Sequence, residues 1–121
     1  MSQQGIVVLT DAMLITCIVQ RGVADKVVDA AMRAGAHGAT VYYARGTGVR
    51  QRHLGVLGIT ISAEKEIVHI VVASEQADGV FEAMHAAAQL DTPGMGILYM
   101  TAVEKMATYV PPEVVTRYIG E

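Results

Sequence analysis

The chain presents one order of elements twice: an apolar run, an amphipathic helical pattern and a second apolar run. In the first half, the predicted strand, helix and strand span residues 13–19, 23–34 and 40–44. In the second half, the corresponding segments span residues 66–73, 76–89 and 97–103. Short β-branched runs predict the strands, and apolar residues three and four positions apart predict the helices. Two β-α-β units of this kind commonly pack as a ferredoxin-like sandwich.

The predicted fold class is therefore α+β: a ferredoxin-like βαββαβ sandwich with an antiparallel four-stranded sheet and both helices on one face. The first strand of the second half is apolar on both of its sides, with the residues Ile67, Val68, Ile70, Val71 and Val72. Because the helices cover only one side, the pattern predicts that another subunit covers the other. Composition agrees, since 52% of the 121 residues are hydrophobic, a large share for one small domain.

Charge, cysteine content and hydropathy argue against several classes of function. The formal net charge is −3, whereas a nucleic-acid-binding domain is usually basic. No apolar run approaches the ~20 residues of a membrane-spanning helix, so we expect no direct membrane insertion. Cys17 is the single cysteine, which rules out an internal disulfide and suits the cytoplasm. The histidine spacing predicts no metal site, and without a paired nucleophile and base no catalytic residue or enzyme activity is predicted.

Two glycine-rich segments are candidate anion sites. Residues 45–53 read RGTGVRQRH, in which glycines let backbone N–H groups approach an anion and Arg45, Arg50 and Arg52 add positive charge. A solvated basic hairpin loop explains the same residues. Residues 92–96 read TPGMG and can form an anion-binding turn, but an ordinary helix-to-strand connection explains them equally well. The residues alone leave both alternatives open.

Several other residues are assigned to structure rather than chemistry. His69 lies in an apolar strand and is predicted to be a hydrogen-bonded core residue. Cys17 also lies in an apolar strand and is predicted to be an inert buried thiol. Four methionines are expected to fill gaps in the core or in an interface: Met32, Met84, Met100 and Met106.

Four segments carry a resemblance to a known family. The sharpest is AGAHGATV at 34–41 followed by ARGTG at 44–48, and the others are 66–74 and 91–99. They resemble the second strand and T-loop start, the strand after the T-loop, and the glycine-rich B-loop of the PII nitrogen-regulatory signalling proteins. The resemblance runs from about residue 14 to residue 107, most of the chain.

The resemblance implies a ferredoxin-like homotrimer that binds adenine nucleotides in the clefts between subunits. It implies a cytoplasmic, non-enzymatic regulator that signals to a membrane transporter or a regulated enzyme through movement of its T-loop. The chain is then one domain over residues 1–121, with a shortened T-loop-like region at 46–63 and a C-terminal tail at 107–121. Such a protein requires no cofactor, and the nucleotide acts as its effector.

The resemblance carries over to few site residues. Thr40 matches the threonine near the adenine, and Val71 or Val72 matches the valine whose backbone faces the adenine. The expected nucleotide-binding set also includes the T-loop base and the B-loop, whose glycines lie under the phosphates: Gly46, Thr47, Gly48, Gly94, Met95 and Gly96.

Departures from the family pattern change the expected ligand. Ile97 stands where the B-loop has a phosphate-binding lysine, and Thr108 and Val110 stand where the C-loop has its arginines. Without these cations a triphosphate loses charge-assisted hydrogen bonds, so AMP, ADP or a cyclic nucleotide is expected rather than ATP. The candidate replacement cations are Arg45, Arg50, Arg52 and Lys105.

Two other functions remain open at the level of sequence. One is a trimeric structural or interaction protein of the same fold that has lost ligand binding. The missing cations favour this alternative, and the retained glycines count against it. The other is a small-molecule enzyme on the same scaffold, for which the sequence offers no paired acid and base.

Overall fold

The elements of the fold follow the predicted order, with two short strands added. A computed structural model describes residues 6–46 and 63–109. Its helices and strands, in chain order, are β1 Ile6–Leu9, β2 Ala12–Gln20, α1 Ala24–Arg33, β3 Thr40–Gly46, β4 Ala63–Ala73, α2 Ser74–Ala88, β5 Gly96–Val103 and β6 Met106–Tyr109. The six elements from β2 to β5 confirm the predicted β-α-β-β-α-β order.

The main sheet has four strands in the order β3-β4-β2-β5, and every neighbouring pair is antiparallel. Alternate residues of β2 and β4 pack with α1 and α2 in one buried cluster. Ile15 and Val68 of the sheet and Val27 of α1 are fully buried there. The predicted ferredoxin-like sandwich, with both helices on one face of an antiparallel sheet, is therefore confirmed.

Cys17 lies in this core with no exposed surface, as predicted. Burial raises the pKa of its thiol to about 11, because a thiolate would lose its hydration there. The thiol therefore stays protonated at neutral pH. Only a thiolate is an effective nucleophile or metal ligand, so Cys17 is suited to neither role. The prediction of an inert thiol agrees with this environment.

Glu66 is a buried carboxylate that joins the sheet to α1. It is 8% exposed, and its Oε1 accepts a hydrogen bond of 2.8 Å from the Ala24 N–H at the start of α1. The preceding residue, Val23, makes no side-chain capping bond. Because the first N–H groups of a helix have no partner within the helix, Glu66 supplies from β4 the acceptor that the first turn needs.

The sheet face away from the helices is largely apolar, and its outer strands are exposed in the single chain, whereas Thr16 at its centre is buried. We call it the open face, and in the described chain its main residues are Leu14, Thr16, Ile18, Thr40, Tyr42, Ile67, His69, Val71, Ile97, Tyr99 and Thr101. One register row crosses all four strands through Tyr42, Ile67, Ile18 and Ile97. Ile97 is 56% exposed and Val71 is 44% exposed. The two-sided apolar pattern of the strands is thus confirmed.

His69 departs from its predicted place in the core. Strand alternation puts it on the open face, where it is half-buried. Its Nε2 lies 3.4 Å from the Tyr42 hydroxyl, and the two rings meet edge to face with centroids 5.3 Å apart. Periodicity could not distinguish the two faces of this strand, because both are apolar.

Two further features differ from the expectations. Met84 is fully buried as predicted, but Met32 is 41% exposed, so it fills no gap in the core of the single chain. The strands β1 and β6 were not predicted. They pair antiparallel with each other in a ribbon separate from the main sheet, with Leu9 opposite Met106.

Candidate functional site

The glycine-rich turn and the end of β3 lie at one end of the sheet, which we call the glycine end. Gly96 begins β5 opposite Val19, and Gly46 ends β3 opposite Ala63. The side chain of Gln20 fixes the turn, because its Nε2 donates a hydrogen bond of 2.7 Å to the Gly94 carbonyl. The structure therefore brings Gly46 and the 94–96 turn to the same end of the sheet.

The conformation of the turn itself explains both of its glycines. Gly94 has φ +84°, a backbone region that side chains rarely adopt. Gly96 has φ +151°, and a Cβ added there would lie 2.3 Å from the carbonyl oxygen of Ile18. The two glycines are needed for the turn and for the close approach of β5 to β2, whether or not an anion binds.

Positive charge at the glycine end is partly neutralised. A shallow cleft there is lined by Arg21, Tyr43, Ala44, Arg45 and Glu64. Arg21 Nη1 lies 2.6 Å from Glu64 Oε1, and both side chains are largely exposed. Arg45 stands opposite Glu64 in the β3–β4 ladder. Of the predicted replacement cations, Arg45 lies at this end. It adjoins the carboxylate of Glu64 as well as Arg21.

The far end of β4 borders a cavity of about 330 Å³. Its lining comes from β1 and the turn after it, the start of β2, the loop before β3, the end of β4, the first turn of α2, and β6: Val8, Leu9, Thr10, Asp11, Ala12, His37, Val71, Val72, Ala73, Glu75, Gln76 and Met106. The sequence analysis gave Val71 and Val72 as alternatives, and both valines line this cavity. The volume lies within the range typical of small-ligand pockets.

Thr40 adjoins the cavity end of the sheet. It pairs with His69 in the β3–β4 ladder, two positions before Val71 and on the same face. Lys105 lies between β5 and β6 and is exposed, but it is not part of the cavity lining. The predicted residues Thr47, Gly48, Arg50 and Arg52 lie outside the described residues.

One chain does not bring the two ends together. Gly96 pairs with Val19 of β2, and Val71 pairs with Leu14 of β2. Five residues of strand separate these positions, a distance of about 16 Å at ~3.3 Å per residue. In a single chain the glycine end and the cavity are therefore separate sites.

The contribution of β1 to the cavity was missed by the sequence reasoning. Val8 and Leu9 line the cavity, and the following Thr10 and Asp11 complete that wall. The available signal was the apolar run IVVL at residues 6–9, followed after two residues by the β2 run. A four-residue run is too short to be assigned as a strand by periodicity alone.

Residues 6–46 and 63–109 contain no group of three or more His, Cys, Asp or Glu side chains placed to hold a metal ion. No helix within those ranges combines the length and the apolar character that crossing a membrane requires.

Comparisons with known proteins agree with this geometry. The family model of the nitrogen regulatory protein P-II matches residues 12–111. Among solved structures, Arabidopsis thaliana PII bound to citrate is similar, with a TM-score of 0.62 and 22% sequence identity over 78% of this chain and 79% of that chain. At this identity the likeness shows the fold. Comparison with curated protein sequences found no significant match. The extent of the family match settles the relationship: the chain belongs to the nitrogen regulatory protein P-II family.

Proposed function

We propose that this protein is a PII-like signal-transduction regulator that binds an adenine nucleotide, or another small anionic effector, between the subunits of a homotrimer. It acts in the cytoplasm and without catalysis. The observation that carries the proposal is the cavity at the end of β4, which both candidate adenine-facing valines, Val71 and Val72, line. Membership of a family of nitrogen-regulatory proteins supports the signalling role.

The two ends of the sheet support a ring of subunits. A site that needs both ends is completed when the glycine end of one copy meets the cavity of the next. Head-to-tail contacts of this kind close into a ring when the rotation between copies allows it. The apolar open face supplies the contact area, because uncovered apolar patches of this kind mark interaction surfaces.

The charges support an effector with few phosphates. Ile97, at the position of the family lysine, is an apolar side chain on the open face, and Thr108 in β6 is exposed and uncharged. The described arginines at the glycine end are Arg21, which pairs with Glu64, and Arg45, which stands opposite Glu64. Since phosphate affinity depends on charge-assisted hydrogen bonds, AMP, ADP or a cyclic nucleotide fits better than ATP.

The signal passes, in this proposal, through the segment at 46–63. β3 and β4 flank the segment and remain paired as far as Gly46 and Ala63. A ligand at the glycine end therefore contacts the base of the segment. A ligand that binds one arrangement of the segment better than another shifts its population and so changes what a partner meets. The partner is a membrane transporter or a regulated enzyme.

Calorimetric titration of the full chain with AMP, ADP, ATP and cyclic AMP tests this function. We expect binding of AMP or ADP with higher affinity than ATP. If none of the four binds, the nucleotide proposal fails. In the same samples, trypsin should cut after Arg50 and Arg52 more slowly when the bound nucleotide is present. Equal cutting rates at saturation would contradict signalling through the 46–63 segment while leaving binding intact.

A second candidate is a trimeric structural or interaction protein that has lost ligand binding. It is favoured by the backbone of the 94–96 turn, which needs Gly94 and Gly96 for structural reasons, so their retention is not evidence for an anion. This candidate predicts the mass of a trimer together with no heat of binding for any nucleotide, which distinguishes it from the first.

A further inference from the structure

The strand β1 lies outside the residues that the family model matches, yet it forms a wall of the cavity. The match begins at residue 12, whereas Val8, Leu9, Thr10 and Asp11 all line the cavity. The features shared with the family therefore do not determine what this wall recognises. Any selectivity that it provides belongs to this chain.

The wall is held in place from two sides. β1 pairs with β6 over four residues, from Ile6 opposite Tyr109 to Leu9 opposite Met106. Where the chain turns into β2, the Asp11 carbonyl accepts a hydrogen bond of 3.3 Å from the Ser74 N–H at the start of α2. These contacts fix Thr10 and Asp11 beside the first turn of α2, which brings Glu75 and Gln76 to the same cavity.

The charged groups in this wall are acidic. Among the described residues that line the cavity, Asp11 and Glu75 are carboxylates, and none is lysine or arginine. The N-terminus of α2 favours negative charge nearby. Glu75 in its first turn and the Asp11 carbonyl oxygen already supply negative charge there. The two carboxylates therefore offer hydrogen-bond acceptors and oppose additional negative charge, beside apolar surface and the polar side chains of Thr10, His37 and Gln76.

We infer that β1, the turn after it and the first turn of α2 form an acidic specificity wall, which takes the uncharged, hydroxyl-bearing nucleoside part of the effector and selects against additional phosphates. This inference rests on the proposed function. Ribose hydroxyls donate hydrogen bonds to Asp11 or Glu75, and the base packs against Val8, Leu9 and Val71. The phosphate then points out of the cavity, toward the glycine end of the next subunit.

The ratio of the ATP and AMP dissociation constants, measured by calorimetry on the full chain at fixed ionic strength, tests the wall. In the double variant Asp11→Asn/Glu75→Gln, the ratio should fall by about threefold to tenfold, because two carboxylates no longer repel the additional phosphates of ATP. The matched control is Asp78→Asn/Glu82→Gln. It removes the same charge from exposed positions of α2 that do not line the cavity, and it should change the ratio less than about twofold.

A second variant separates the apolar part of the wall from its charge. Val8 is 58% exposed in the single chain, so Val8→Ser should fold normally. It should weaken AMP and ATP binding by the same factor, about threefold, and leave the ratio unchanged. If nucleotides bind and neither variant has its expected effect, the wall is overturned and the proposed function stands. If the wild-type chain binds no nucleotide, both fail.

Discussion

Replacing Gly96 by alanine should lower the free energy of unfolding by about 2–5 kcal/mol. A Cβ at this position would lie 2.3 Å from the Ile18 carbonyl oxygen and 3.3 Å from the Val19 Cα. These are backbone atoms of the central strand β2, so they cannot turn aside as a flexible side chain can. The φ of +151° adds backbone strain for any residue with a Cβ. The first residue of β5 must therefore move away from β2.

Urea unfolding at a fixed protein concentration measures this loss. Gly79→Ala is the matched control, because Gly79 lies within α2 and an added Cβ there meets nothing within 4 Å. That change should leave stability unaltered or raise it by up to about 1 kcal/mol, since alanine favours a helix more than glycine does. A stability of Gly96→Ala within about 0.5 kcal/mol of wild type would contradict the close approach of β5 to β2.

Ile97→Glu should convert the proposed trimer into monomers at micromolar concentration. In the single chain the Ile97 side chain is 56% exposed, so a glutamate there costs the monomer little. In the proposed trimer the open face is covered, and an unpaired charge buried in an apolar interface costs several kcal/mol for each subunit. Because each subunit carries the change, the penalties add over the ring.

Sedimentation velocity distinguishes the species, with the wild-type chain expected at about three times its mass of 12.9 kDa. Met32→Glu is the control, because Met32 is also an exposed apolar side chain, 41% exposed, but lies on α1 rather than on the open face. It should remain trimeric. A trimer that persists in Ile97→Glu with unchanged stability would show that the open face is not the assembly surface.

The central fold was predictable because its segments carry strong periodic signals. β2 and α1 were expected at 13–19 and 23–34 and are found at Ala12–Gln20 and Ala24–Arg33. β4 begins earlier than expected, at Ala63, since its first residues lack an apolar pattern and are held by pairing with β3. The strands β1 and β6 are four residues long and, within residues 6–46 and 63–109, pair only with each other, so nothing local in the sequence identifies them.

The candidate site was predictable in parts. Val71 or Val72 was expected to face the ligand; both line the cavity, and their contact with a ligand stays a prediction. The sequence could not show why residue 96 is a glycine, because a bound anion and a nearby backbone carbonyl would each require glycine there. Nor could it place His69, whose strand is apolar on both faces. The wall formed by β1 depends on contacts with β6 and α2, which are distant in sequence.

The composite nature of the site is tested most directly by mixing two variants that are each defective at one end. Thr10→Trp fills the cavity from an exposed position, and Arg45→Glu reverses the charge at the glycine end. Trimers of either variant alone should bind no AMP. After the two are unfolded together and refolded in equal amounts, random assortment gives about a quarter of interfaces with both halves intact.

Calorimetry on the refolded mixture should therefore recover about a quarter of the wild-type number of AMP sites, with wild-type affinity. Refolded samples of each variant alone serve as controls and should show no binding heat. If the mixture recovers no sites although mixed trimers form, the ligand does not lie between the glycine end of one subunit and the cavity of the next.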